Sequence, residues 1–111
     1  MLKIVKSGIK MTDFERKILA LVSRIPLGKI TTYKLLAQKI GNKNSVRAVG
    51  NALHKNPNLV KIPCHRVVRT NGEIGNYRLG LAKKVKLLQN EGISIKGRKI
   101  MDLNFYLYRL N

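Results

Sequence analysis

Ile62-Pro63-Cys64-His65-Arg66-Val67-Val68 holds the only cysteine of a 111-residue chain that has two histidines. A lone thiol forms no internal disulfide, and one thiol with two histidines is a poor start for a structural zinc site. Three roles remain for it: a buried filler, a redox-sensitive bystander or a nucleophile. Its neighbours favour the last. Pro63 stiffens the approach, and His65 and Arg66 stand where a plain core strand would carry apolar side chains. Nearby positive charge lowers a thiol's pKa and makes it a better nucleophile.

Outward from that stretch, the charge balance is extreme. Lys and Arg number 23 against five acids, for a formal net charge of +18. The acids are Asp13, Glu15, Glu73, Glu91 and Asp102. Such a balance favours polyanions, most simply the phosphate backbone of nucleic acid. The length suits one domain over residues 1–111. No apolar run approaches the roughly 20 residues of a membrane span. Met1-Leu2-Lys3-Ile4-Val5-Lys6 has no secretory pattern, and a single cysteine fits a reducing cytoplasm. No Gly-rich phosphate loop, internal repeat or low-complexity linker is present.

Patterning predicts mostly helix with short strands. Thr12-Asp13-Phe14-Glu15 has the form of a capping box, and Phe14, Ile18, Leu21, Val22 and Ile25 follow at helical spacing until Pro26-Leu27-Gly28. A second helix is expected from about Thr32 to Ile40, burying Leu35, Leu36 and Ile40, with Gly41 as its stop. A third, capped by Asn44 or Ser45, runs to about Lys55 with Val46, Val49 and Leu53 inward. Helices two and three form a helix-turn-helix candidate. Ala48, Gly50 and Ala52 give the third helix a small-residue surface around Arg47, Asn51 and His54. That surface fits either close packing on another helix or approach to a groove. Asn71-Gly72 predicts a hairpin between Val67-Val68-Arg69 and Ile74. A further helix from about Leu81 to Asn90 buries Leu81, Val85 and Leu88 and solvates Lys83, Lys84 and Lys86. In the tail, Ile93-Ser94-Ile95 and Ile100-Met101 read as strands about Lys96-Gly97-Arg98, and the alternation of Leu103, Phe105 and Leu107 suggests a final strand.

Together these blocks resemble the O6-alkylguanine-DNA alkyltransferases, over about residues 14–92. The resemblance is carried by Gly28-Lys29-Ile30-Thr31-Thr32-Tyr33, Arg47-Ala48-Val49-Gly50, Asn56-Pro57, Pro63-Cys64-His65-Arg66-Val67-Val68, Gly75-Asn76-Tyr77 and Lys84…Leu87-Leu88…Glu91-Gly92. It implies a winged-helix-like helix-turn-helix domain that carries out direct, single-turnover DNA repair. An alkyl group leaves guanine O6 for Cys64, after the base is flipped out of duplex DNA held at its minor groove. It also implies that His65 deprotonates Cys64 through a water, that Glu91 and Asn56 orient this relay, and that Tyr33 donates a proton toward guanine N3. Arg47 would fill the opened stack. Thr32, Tyr33, Lys34, Asn42, Ala48, Gly50, Asn51 and Thr70 would face DNA, and Pro63, Val67, Tyr77, Arg78 and Leu79 would form the alkyl and base pocket. The implied partner is double-stranded DNA containing O6-alkylguanine, acted on by a monomer with no cofactor, metal, membrane or soluble methyl donor.

Three departures from the family pattern stand out. Arg78-Leu79 replaces the small residues common after the loop tyrosine, which should narrow the pocket against large groups such as benzyl. The family's usual N-terminal α/β domain, with the zinc site some members carry there, has no counterpart in the dozen residues before the first helix. The apolar tail after Gly92 has no evident family counterpart either. Rival readings are the alkyltransferase-like lesion binders, which usually carry Trp in place of the cysteine, and a helix-turn-helix regulator, which leaves Cys-His-Arg unexplained. A cysteine protease is poorly supported, because His65 adjoins Cys64 in sequence.

Overall fold

A computed structural model describes residues 11–41 and 45–110. The first helix, α1 (Asp13–Val22), opens with the expected capping box. Thr12 accepts from the Glu15 backbone N–H, and the Glu15 side chain accepts from the Thr12 N–H. Ile18, Leu19 and Val22 are fully buried, and Ile25 stays in the core although the helix has already ended. Burying each such side chain contributes about 1.5–3 kcal/mol. Lys55 pairs with the nearly buried Glu15 at 2.6 Å, tying the start of α1 to the end of the third helix.

Strand β1 (Thr31–Thr32) leads directly into α2 (Tyr33–Ile40), which closes on Gly41 in the left-handed conformation. The third helix, α3 (Val46–His54), packs against both α1 and α2. Ser45 occupies its N-cap position without a side-chain capping bond, while Asn44 lies outside the described residues. Two expectations for this helix are corrected. Val46 is exposed, and Ala52 is fully buried against the core instead of facing a groove. Val46 shares the helical line of Leu53, seven residues on, but stands at the first position of the helix where it faces the cavity, while Ala52, three residues after Val49, joins the buried face.

The sequence after α3 makes a 3-10 turn, Cys64–Arg66, followed by β2 (Val67–Val68). The Asn71-Gly72 reversal forms, with Arg69 N–H donating to Glu73 O and Gly72 N–H to Arg69 O, both at 2.9 Å. Its two arms do not pair as a hairpin, however. Strand β2 runs parallel to β1, with Thr31 opposite Val67, and the returning arm instead meets Lys99 through Glu73. Helix α4 (Leu81–Asn90) has the expected bounds. Beyond it, β3 (Ile95–Lys96) and β4 (Lys99–Ile100) form an antiparallel hairpin.

The expected final strand is corrected: Leu103–Tyr106 is a short helix, α5. Only Leu107 then bridges in parallel to Ile30, with Ile30 N–H donating to Tyr106 O and Tyr108 N–H to Ile30 O. Two apolar clusters result. One joins α1, α2 and α3 to Ile62, Cys64 and Val67. The other gathers Ile30, Val68, Ile74, Leu88, Ile93 and Ile100 beneath α4 and the tail. The parallel pair β1–β2 lies between them and carries the cysteine turn.

Candidate active site

Cys64 is held by backbone geometry before any side chain acts. Pro63 has φ −79° and ψ 69°, and Cys64 N–H donates to Ile62 O at 2.8 Å. That is an inverse γ-turn, whose φ lies within the range a proline ring permits. The preceding loop is fastened by Asn56, which is fully buried. Its amide Nδ2 donates to Ile62 O at 2.7 Å, and its Oδ1 accepts from Asn58 N–H at 2.9 Å. The Asn56 amide also acts on the Cys64 thiol, lowering its pKa against the effect of burial. Its side-chain hydrogen bonds are therefore to the loop, and among the described residues none is to His65 or Glu91.

Behind the thiol stands a paired cluster. His65 Nε2 meets Glu91 Oε2 at 2.8 Å, and Arg66 donates to both Glu91 oxygens at 2.8 Å and to Ile25 O at 2.7 Å. Glu91 caps the C-terminal end of α4, and all three side chains are mostly buried. Burial raises the Glu91 pKa, but hydrogen bonds from Arg66 and His65 prevail and hold it below the usual carboxylate range. Burial pushes the His65 pKa down, outweighing Glu91's opposite pull. At neutral pH the pair is thus a neutral imidazole donating Nε2–H to a carboxylate. That tautomer leaves the Nδ1 lone pair free, and buried Nδ1 has no protein partner among the described residues.

Lys84 departs furthest from its sequence pattern. It was expected on a solvated face, yet it is completely buried. Its Nζ donates to Val67 O at 2.6 Å and Asn76 O at 2.9 Å, and lies 3.5 Å from Tyr33 Oη. Among the described residues it forms no ion pair with a carboxylate. Burial lowers its pKa to about 7, with the Cys64 thiolate pulling the other way. Spacing contained the signal: Lys84 falls three residues after Leu81 and four before Leu88, on the apolar stripe itself. Burial likewise raises the Cys64 pKa, opposed by Asn56, Lys84 and Arg78.

Cys64 opens onto a cavity of about 570 Å³, walled by α3 on one side and by the 69–78 segment on the other. Arg47, Gly50 and Asn51 face it from the helix, and Arg69, Thr70, Tyr77 and Arg78 from the loops. A Cβ on Gly50 would meet nothing within 4 Å, so close packing on another protein helix is not why glycine stands there. Gly75 is different. Its φ is 79°, and a Cβ would come within 3.1 Å of Tyr33 Oη, so glycine lets the phenol sit at the cavity wall. Burial raises the Tyr33 pKa, keeping its proton in place at neutral pH. Arg78 Nη1 donates to His54 O at 3.0 Å and braces the loop against the end of α3.

Other expected positions are distributed less simply. Thr32 is buried, its hydroxyl accepting the Leu35 N–H as the cap of α2, so it is corrected from a DNA-facing to a structural position. Pro63 and Val67 are buried beneath the cavity rather than among its lining, and Leu79 is exposed outside it. Lys34 is exposed on α2, and Ala48 lines a shallower hollow beside α1. Asn42 lies outside the described residues.

Residues 13–93 match the family described as 6-O-methylguanine DNA methyltransferase, DNA binding domain. The chain belongs to this methyltransferase family. Among curated relatives, the methylated-DNA--protein-cysteine methyltransferase of Methanothermobacter thermautotrophicus is 41% identical over 78% of this chain and 48% of its own length. The enzyme of the same name from Saccharolobus islandicus is 48% identical over 79% and 56%. The chain therefore spans about half the length of the curated methyltransferases it matches. Among solved structures, S. pombe Atl1 in complex with damaged DNA containing O6-carboxymethylguanine superposes with a TM-score of 0.79 at 28% identity. That match covers 91% of this chain and 99% of Atl1. Mycobacterium tuberculosis OGT in complex with DNA gives 0.70 at 35% identity, over 74% and 51%. The helix-turn-helix fold of the methyltransferase family is thus the fold of this chain.

Proposed function

We propose that this protein repairs DNA by moving an alkyl group, typically methyl, from guanine O6 to Cys64 once per molecule. The observation that carries this reading is the thiol at the edge of a cavity large enough for a base, backed by a neutral histidine whose free Nδ1 is held by the Glu91 contact. In the reaction a proton passes from Sγ, through a water, to His65 Nδ1. The thiolate attacks the alkyl carbon in line, the S–C bond forms as the C–O6 bond breaks, and the electron pair departs with the guanine. Tyr33, still protonated, offers a proton to the leaving base. Glu91 stabilises the imidazolium that forms, and Asn56 keeps the loop and thiol in register.

The alkyl group is inaccessible within a duplex, so the base must be extruded into the cavity. Helix α3 supplies the contact surface, with open space over Gly50 and with Arg47 exposed at the cavity wall to fill the stack. Arg78, braced to His54 O, restricts the cavity and disfavours bulky groups such as benzyl. Incubation with a duplex containing O6-methylguanine should add one methyl to the Cys64 peptide by mass spectrometry, and Cys64→Ser should remove the addition. Multiple turnovers, or a methyl elsewhere, would exclude the acceptor role.

A binding-only reading has one observation in its favour, the likeness to S. pombe Atl1 across nearly the whole of both chains. The same mass measurement separates the two. A protein that binds alkylated duplex tightly while its mass stays constant is a lesion binder.

A further inference from the structure

The β3–β4 hairpin carries charge that the candidate site does not use. Its turn and flanks read Lys96-Gly97-Arg98-Lys99, and all four residues are exposed. Gly97, the first of the two loop residues, has φ 63°, the positive value a type II′ hairpin turn needs there. Among the described residues no acid neutralises these cations. Asp13, Glu15 and Glu91 are engaged by Arg16, by Lys55, and by His65 with Arg66; Glu73, whose backbone bridges to Lys99, accepts from Asn71 through its side chain, and Asp102 forms no ion pair among the described residues.

Edge protection explains only part of this charge. Lysines commonly guard a free strand edge, and Lys96 on β3 fits that role. Strand β4 is not a free edge, because it pairs with β3 on one side and meets Glu73 on the other. Arg98 and Lys99 therefore need another reason.

Position supplies one. Ile100 N–H donates to Gly72 O at 2.8 Å and Ile74 N–H to Arg98 O at 2.9 Å, fastening the hairpin to the Thr70-Asn71-Gly72 turn. Ile100 anchors it in the second apolar cluster. The Lys99 stem lies over Gly72, 3.5 Å from where a Cβ would stand. Two residues before Gly72, Thr70 and its neighbour Arg69 already line the cavity. Cations thus continue from Arg47 on α3, past Arg69 at the cavity, to a rigid basic hairpin.

We propose that this hairpin is a second contact to the DNA backbone, gripping phosphates beside the cavity while α3 engages the groove. The inference rests on the DNA-binding reading above but not on alkyl transfer. In the test, binding to a labelled undamaged duplex is followed by fluorescence anisotropy across a salt series, for the wild type and K96Q/R98Q/K99Q. Each phosphate contact contributes about 0.9 to the slope of log affinity against log salt, so the variant's slope should be shallower by about 2 to 3. Transfer from the free base O6-methylguanine, which has no phosphates, should be unchanged.

An unchanged slope overturns the proposal. An equal loss of slope in the charge-matched variant K17Q/K61Q/K86Q also overturns it, because net charge alone would then be acting. A fall in free-base transfer assigns the hairpin to fold support, and anionic-vesicle binding lost in the variant with an unchanged DNA slope assigns it to a membrane surface. If no transfer occurs at all but the salt slopes differ as expected, the repair reading fails and the hairpin contact stands.

Discussion

Arg66 and Lys84 are both cations packed around the cysteine turn, and their surroundings differ in kind. Arg66 spans both oxygens of Glu91 and reaches back to Ile25 O. Its charge is matched and, as a guanidinium, permanent. Lys84 has two backbone carbonyls and a phenol near it and, among the described residues, no carboxylate partner. Its charge is unmatched and titratable, with a pKa of about 7. The pair shows two ways of keeping a cation out of water. One builds a fixed electrostatic frame, which here keeps Glu91 ionised and His65 aligned. The other leaves a proton that is held loosely, beside a thiol whose ionised form would be its natural partner.

The largest expected effect tests the matched frame. Glu91→Ala strands the Arg66 guanidinium in a mostly buried position, and breaking such a pair costs about 3–5 kcal/mol. Denaturant unfolding measures it; a loss below about 1 kcal/mol would mean that solvent already screens the pair. Lys84→Met comes next. Val67 O and Asn76 O lose their donor, which costs about 1–3 kcal/mol each, partly offset because no cation need be desolvated. A net loss of about 2 kcal/mol by the same measurement is expected.

A pH series separates the two cations. Below about pH 7 Lys84 is protonated in both the folded and unfolded chains. Between about 7 and its ordinary 10.5, only the unfolded chain keeps that proton. Stability from this group therefore rises with pH across that window. Wild type should gain stability relative to Lys84→Met between pH 7 and 10.5, whereas Arg66→Met should show no such divergence. The lowered His65 pKa makes a related expectation for rate: the acid limb of methyl transfer should fall below pH 6.5, read by single-turnover kinetics. A limb above 6.5 would mean that the Glu91 charge outweighs burial. The smallest effect lies away from both cations. Thr12→Ala and Thr32→Ala each remove a helix cap and should cost about 1 kcal/mol, detectable as a lower unfolding midpoint.

How legible each part was in the sequence follows from what kind of interaction fixes it. Capping boxes and glycine stops are local, so the start of α1, the end of α2 and the extent of α4 could be read directly. The Cys-His-Arg block and Glu91 were legible as a recurring motif, and the fold brings them within hydrogen-bonding distance across 25 and 26 residues. Lys84 was misread because a lysine is ordinarily assigned to solvent, and its buried partners are backbone carbonyls that carry no side-chain signature. Leu103, Phe105 and Leu107 alternate as a strand would, but a segment this short is decided by docking rather than period. Thr32 looked like a surface contact because nothing in its identity tells a cap from a ligand. Gly50 is ambiguous in the sequence, because only the open space above it separates a groove-facing glycine from one that permits close helix packing.

The pairing of Leu107 with Ile30 has a consequence for how the chain comes to be folded. Residues 30–32 take one neighbour from Val67–Val68 and the other from the 106–108 segment, so this small sheet gathers three stretches that lie far apart in the sequence. Contacts between such distant residues require closure of long loops and form slowly. On a ribosome, the outer edge of β1 must wait until residues 106–108 emerge. The three-helix part can assemble earlier from local contacts, and the exposed strand edge is the part of the nascent protein most open to pairing with another chain.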